Sequence, residues 1–252
     1  MIKGVLLDLS GVIYIGNRLI AGAIDAIDQL RNNDLHIQYI TNTTRNTRVS
    51  IVKKLAAMNL VIPENQLFTA PIAARSYIKK KKLNPYLLIH PNLIPEFSEF
   101  DNNNYDSVLI GDAGLDFTYE KLNKAFRILF EGAPLLAMGD NRYFKEEDGF
   151  SLDAGPFVHA LELASSTKAI VLGKPSKEFF FEAIKNFHCK PDQVVMVGDD
   201  VEADVIGALT SGLQAILVQT GKYRPSDEQV LQGSSAYVVS NISSAAELII
   251  SL

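Results

Sequence analysis

Four polar signatures in this chain each follow an apolar run: Asp8-Leu9-Ser10, Thr41-Asn42, Gly173-Lys174-Pro175, and Gly198-Asp199-Asp200 with Asp204. Together they supply carboxylates for a hard cation, a hydroxyl and an amide for oxygen contacts, and an ammonium group for anionic charge. Phosphoryl transfer needs this inventory, because its catalysis is mainly positioning and charge neutralisation. Asp8 is the centre of the set. Val5, Leu6 and Leu7 make a short apolar run that fits a buried parallel strand, and the run ends on a lone carboxylate. Ligands in open α/β sheets bind at the carboxyl ends of strands, so an acid there can serve as nucleophile and metal ligand.

Each member also has a plain structural reading. Asp8 could start a turn, and Thr41-Asn42 could form a turn or a helix cap. Lys174 could be a surface lysine before a proline. Asp199 or Asp200 could cap the next helix, and Asp204 could be an exposed helix residue. The ordered set is more specific than any part, since every member falls at the end of an apolar run. If the strands are parallel, most of these ends share one sheet edge.

The elements that must do this positioning alternate along the chain, which predicts an α/β protein with a parallel sheet. Leu35, Ile37 and Tyr39 alternate over 35–41 as a second strand. Ala23, Ile24, Ile27 and Leu30 before it, and Ile51, Val52, Leu55 and Met58 after it, recur at helical spacing. Strands are expected over 67–69, 86–89, 107–110, 135–137, 169–172, 194–197 and 215–218. Residues 102–104 read as a turn-rich break, 139–155 as a long polar loop and 220–233 as another. The middle portion reads as a second α/β unit inserted into the first. The Phe179-Phe180-Phe181 cluster reads as core packing rather than cofactor stacking.

The 252 residues, 47% of them apolar, suffice for one large domain or two modest ones. A net charge of −5 gives no electrostatic footprint for nucleic acid. The lysines at 79–82 read as a solvated helix end that opposes the macrodipole. One cysteine, Cys189, excludes an internal disulfide and a cysteine-rich zinc site. No apolar run approaches the ~18 residues of a membrane span, and no cleavable signal pattern appears, so a cytoplasmic protein is expected. No dinucleotide or P-loop glycine pattern follows the first strand.

The ordered motifs resemble those of the haloacid dehalogenase-like hydrolase superfamily, and the placement of the insert resembles its NagD-like capped class. The likeness extends to Arg142-Tyr143-Phe144-Lys145, Gly155-Pro156-Phe157 and Thr220-Gly221-Lys222-Tyr223-Arg224. It implies a Rossmann-like parallel-sheet core over 1–71 and 172–252 with an inserted α/β cap domain over 72–171. It implies a phosphohydrolase acting on small phosphorylated compounds, with Asp8 attacking phosphorus. Asp8, the Ser10 backbone carbonyl and Asp199 would hold Mg²⁺, with Asp204 in support. Thr41 and Asn42 would bind phosphate oxygens, and Lys174 would pair with Asp8 and the phosphate. A homodimer through the cap is the partner such caps allow.

One departure matters. The superfamily's phosphatases usually carry a second aspartate two residues after the nucleophile, as general acid and base, and here that position is Ser10. General acid–base help is worth ~10²–10⁴-fold. Ser10 therefore predicts slow hydrolysis, or substrates with good leaving groups such as pyrophosphate or N-phosphorylated amino acids. It also keeps open a catalytically weak fold-mate that binds phosphate or a protein. Arg142, Tyr143, Lys145 and Asp153 lie in the long loop, where Arg142 and Lys145 are candidates for a leaving-group anion and Asp153 for a cationic one. His36, His90, His159 and His188 show no metal-site spacing and read as structural, with His159 on a cap helix the one to inspect.

Overall fold

The computed structural model describes residues 1–100, 103–145 and 149–252. Asn102 of the predicted 102–104 break lies outside the described residues, as does the side chain of Lys145. The chain divides into two compact units: Met1–Thr41, Arg48–Phe68 and Lys174–Leu252 form the first, and Asn42–Thr47 with Thr69–Gly173 form the second.

The first unit is built on a six-stranded sheet. Gly4–Asp8 lies in its middle, with Val194–Gly198 on one side and His36–Thr41 on the other, both parallel to it. Gln214–Val218 and then Tyr237–Val239 extend one flank in parallel, and Leu67–Thr69 ends the other. The strand order reverses direction at Gly4–Asp8, which is the topological switch point where open α/β sheets bind ligands. Every residue of Gly4–Asp8 and of Val194–Gly198 is buried, as strands covered on both faces must be. Val5, Leu7, Val195, Val197, Ile216 and Val218 pack in one cluster with Ala26, Ile27 and Leu30 of the helix Ala23–Asn32. Phe179 and Phe180 are fully buried, and Phe179 packs against Phe68 with centroids 5.1 Å apart.

Just past Asp8 the chain makes a small hairpin, Tyr14–Ile15 against Arg18–Leu19. Its two-residue loop is Gly16-Asn17, with Gly16 at φ 60. Such a turn needs positive φ at its first central residue.

The second unit has its own four-stranded sheet, ordered Ile170–Val171, Leu135–Ala137, Ser107–Ile110 and Pro85–Leu88, parallel throughout. Tyr119–Phe130 and Gly155–Ser165 are its main helices near the core, which contains Val108, Ile110, Leu135, Ala125 and Val158. The helix Ala70–Lys81 ends in the lysine run, where Lys79 meets Glu99 at 2.7 Å. The 139–155 segment is not all loop: Tyr143–Lys145 and Phe150–Leu152 pair as an antiparallel ribbon. Likewise 220–233 contains a short helix, Asp227–Val230. Among the described residues, no helix is long and apolar enough to cross a membrane.

Candidate active site

Strand register does the first part of the assembly. Leu7 pairs with Val197 and Asp8 with Ile40. Asp8, Asp199 and Thr41 therefore leave three adjacent strands at the same edge. Gly198 is required there: a Cβ on it would stand 2.2 Å from the Asp204 Cβ and 2.3 Å from its Oδ2. The missing side chain lets Asp204 fold back against the strand end. Asp200 caps the following turn, its Oδ1 accepting from the amides of Glu202 (3.2 Å) and Ala203 (3.0 Å). That turn, Val201–Ile206, is wound as a π-helix, which places Asp204 inward rather than on the surface.

Lys174 completes the cluster. Its ammonium donates to Asp8 Oδ1 at 2.5 Å and to Asp204 Oδ1 at 2.6 Å, and only 4% of the residue is exposed. Asp204 Oδ2 accepts from the Asp200 amide at 3.2 Å, so both oxygens of Asp204 are engaged. Asp8, Asp199 and Asp204 each offer a carboxylate oxygen, all within 4.8 Å of one another.

So much buried negative charge shifts the acids. Burial, only partly offset by Lys174 and reinforced by Asp204, pushes Asp8 up to about 6. Burial and the charges of Asp8 and Asp204 push Asp199 up to about 8. For Lys174, burial alone would favour the neutral amine, but Asp204 and Asp8 outweigh it and hold the ammonium above its ordinary value. Asp200 is held below its ordinary value: the Lys222 ammonium and the Ala203 amide overcome the effect of burial. A donor set made only of oxygens, crowded enough to retain protons, is what a hard divalent cation would relieve.

The structure thus brings Asp8, Lys174, Asp199 and Asp204 together within the first unit, and Thr41 is buried at the end of the neighbouring strand. Ser10 lies exposed on the loop after Asp8, bridged to Tyr14. Asn42 is the first residue of the second unit. Also in that unit, the Arg142 carbonyl accepts from the Asp153 amide at 3.2 Å, and Tyr143 is half-exposed opposite Leu152. Asp153 accepts from the Ala154 amide at 2.7 Å, and burial raises its carboxyl. His159 bridges Asp140 at 3.1 Å and Glu162 at 2.9 Å. His36 stacks on Phe187, and His90 accepts the Asn92 amide. Residues without an assigned role from sequence also meet the cluster: the Lys222 amide donates to Asp199 Oδ2 at 2.7 Å, and the Lys222 ammonium reaches Asp200 Oδ2 at 2.9 Å. Their signal was available, because Thr220-Gly221-Lys222 follows another parallel strand, Gln214–Val218.

Comparison with known proteins accords with this geometry. The family model described as haloacid dehalogenase-like hydrolase matches residues 5–102, and a second, HAD-hydrolase-like, matches 171–245. The chain is 43% identical over 228 residues to human haloacid dehalogenase-like hydrolase domain-containing protein 2, covering 90% of this chain and 88% of that one. The chain belongs to the haloacid dehalogenase-like hydrolase family. A second relative of this haloacid dehalogenase-like hydrolase is the phospholysine phosphohistidine inorganic pyrophosphate phosphatase of Danio rerio, 41% identical over 255 residues, with 99% and 94% of the two chains covered. Among solved structures, the 4-nitrophenylphosphatase of Thermotoga maritima superposes with a TM-score of 0.91 at 25% identity, covering 98% of this chain and 97% of that one. Within the haloacid dehalogenase-like family the chain is a phosphatase, with a Rossmann-like core and an inserted α/β cap in the fold that NagD of E. coli also has.

Proposed function

We propose that this chain is a Mg²⁺-dependent phosphohydrolase of small phosphorylated compounds, working through an aspartyl-phosphate on Asp8. The observation that carries the reading is the buried ion triad of Asp8, Lys174 and Asp204 beside Asp199. A carboxylate and a phosphate repel each other, and an ammonium fixed on the carboxylate lets the two anions approach. Asp8 attacks phosphorus with one carboxylate oxygen while the bond to the leaving group breaks. The phosphoryl group then rests on Asp8 until water takes it and restores the carboxylate. Covalent catalysis of this kind splits one hard step into two.

The all-oxygen donor set fits Mg²⁺. We assign Asp8, Asp199 and the Ser10 backbone carbonyl to hold it, and Thr41 to a phosphate oxygen. Asp204, with both oxygens already engaged, is assigned to fixing Lys174 and to support of the ion through water. When bound, the ion supplies neutralisation of phosphate charge.

For substrate we favour pyrophosphate or N-phosphorylated amino acids. The exposed Ser10 offers no strong acid to the leaving group, and one relative's name specifies phospholysine, phosphohistidine and pyrophosphate. Ser10 is also the observation that favours a second reading, a weak fold-mate retained for binding. The test is phosphate release from pyrophosphate, phospholysine and para-nitrophenyl phosphate, with and without Mg²⁺, for wild type and Asp8→Asn. We expect Mg²⁺-dependent release that falls at least 10³-fold in Asp8→Asn. Turnover that survives the substitution would reject the covalent route. Phosphate binding without turnover on any compound would favour the second reading.

A further inference from the structure

Asp199 is held by a strap from a distant part of the chain. Gln214–Val218 pairs with Val194–Gly198 so that Leu217 faces Gly198, and the chain from Gln219 onward therefore leaves the sheet beside Asp199. There the Lys222 amide donates to Asp199 Oδ2 at 2.7 Å. Two glycine backbones close on the same oxygen. A Cβ on Gly11 would stand 1.9 Å from it and one on Gly221 2.0 Å from it. Gly11 (φ 88) and Gly221 (φ 60) both occupy the left-handed region that favours glycine. The Gly11 Cα lies only 2.5 Å from where a Gly221 Cβ would be, so the two loops touch. One side-chain hydrogen bond joins them: Thr220 Oγ1 donates to the Gly11 carbonyl, across 209 positions of sequence.

We propose that Thr220 is a positioning residue for the metal-binding acid: by tying the Thr220-Gly221-Lys222 loop to Gly11, it holds the Lys222 amide on Asp199 Oδ2 and so fixes that carboxylate for a divalent cation. This rests on the reading that Asp199 is a ligand. Gly11 is seated by Val12 and Ile13, both buried in the core, whereas Gln219, Gly221 and Lys222 are exposed, so the tie fastens an exposed loop to a fixed point. Without the tie, the amide and the two glycine walls lose their common register, and Asp199 can rotate. Partners behind metal ligands are typically worth ~10–100-fold in metal affinity.

The experiment titrates Mg²⁺ into the substrate-free protein by calorimetry, and repeats the measurement with Mn²⁺ by electron paramagnetic resonance. The variants are wild type, Asp199→Asn, Thr220→Val and Thr220→Ser. Thr220→Val keeps shape and removes the donor, whereas Thr220→Ser keeps the donor. We expect the Kd of Thr220→Val to rise about 10-fold, Thr220→Ser to stay within twofold of wild type, and kcat at saturating Mg²⁺ to be unchanged in both. A Thr220→Val Kd within twofold of wild type overturns the proposal, as does a Thr220→Ser Kd as weak as that of Thr220→Val. Wild-type-like binding by Asp199→Asn would instead defeat the site assignment itself, and the role of Thr220 with it.

Discussion

Lys174 Nζ stands 2.6 Å from Asp204 Oδ1 while the same ammonium reaches Asp8, so one buried cation holds two buried acids 196 positions apart in sequence. Removing one partner of a buried ion cluster is expensive, about 3–5 kcal/mol, because the others stay behind uncompensated. Lys174→Met should lose stability in that range at pH 8 in EDTA, read from urea unfolding. At pH 5 the loss should be smaller, since protons take the place of the missing ammonium on the crowded carboxylates. An equal loss at both pH values would mean that Lys174 acts through packing alone.

On the proposed reading, Ser10 stands where the resemblance places a general acid for the leaving group. Ser10→Asp should therefore raise hydrolysis of phosphomonoesters with poor leaving groups, by about 10²-fold or more if proton transfer limits the rate. Pyrophosphate, whose leaving group needs less help, should gain much less. The ratio of kcat/KM values for an alkyl phosphate and pyrophosphate measures this directly. An unchanged ratio would place the limiting step elsewhere.

Asp199 and Asp200 are neighbours whose carboxyls shift in opposite directions. Asp200 spends one oxygen on the Glu202 and Ala203 amides and the other on Lys222. Asp200→Ala should cost about 1 kcal/mol, the usual worth of a helix cap. Its Mg²⁺ affinity, measured by calorimetry, should stay within threefold of wild type. A loss as large as that of Asp199→Asn would make Asp200 a ligand.

Strand ends were legible because their cause is local. An apolar run that stops on Asp8, or on Gly198-Asp199, announces both the strand and the side of the sheet where it ends. The burial of Asp204 was not legible as such. It depends on the absent Cβ of Gly198 and on a turn wound as a π-helix, neither of which a helical spacing rule detects. The motif Thr220-Gly221-Lys222 was visible behind its strand, but its contact with Gly11 was not, because only the sheet order creates it. Two hairpins show the limits of periodicity. Ile15-Gly16-Asn17-Arg18 carries the two-residue turn chemistry that should have marked Tyr14–Ile15 and Arg18–Leu19. The Tyr143–Lys145 and Phe150–Leu152 strands are three residues each, too short for alternation to register in a polar stretch.

The crowded acids also set how stability should change with pH. Unfolded carboxylates lose their protons near pH 4, whereas the folded protein keeps them on Asp8 up to about 6 and on Asp199 up to about 8. Between about pH 4 and pH 8 the native state therefore binds more protons than the unfolded one, and stability falls as pH rises, by up to about 1.4 kcal/mol per pH unit for each proton held. Lys174, raised above its ordinary value, stays charged in both states across this window and adds no slope. Asp200, lowered, exerts its effect at more acid pH. In EDTA, then, the wild-type Tm should drop from pH 5 to pH 8, and Mg²⁺ should restore much of it at pH 8. Asp199→Asn keeps an oxygen for the Lys222 amide and removes the charge. It should melt several degrees above wild type at pH 8 in EDTA, differ little at pH 5, and gain little from Mg²⁺. A melting curve for Asp199→Asn that tracks wild type at both pH values would mean that the folded acids are not crowded as described.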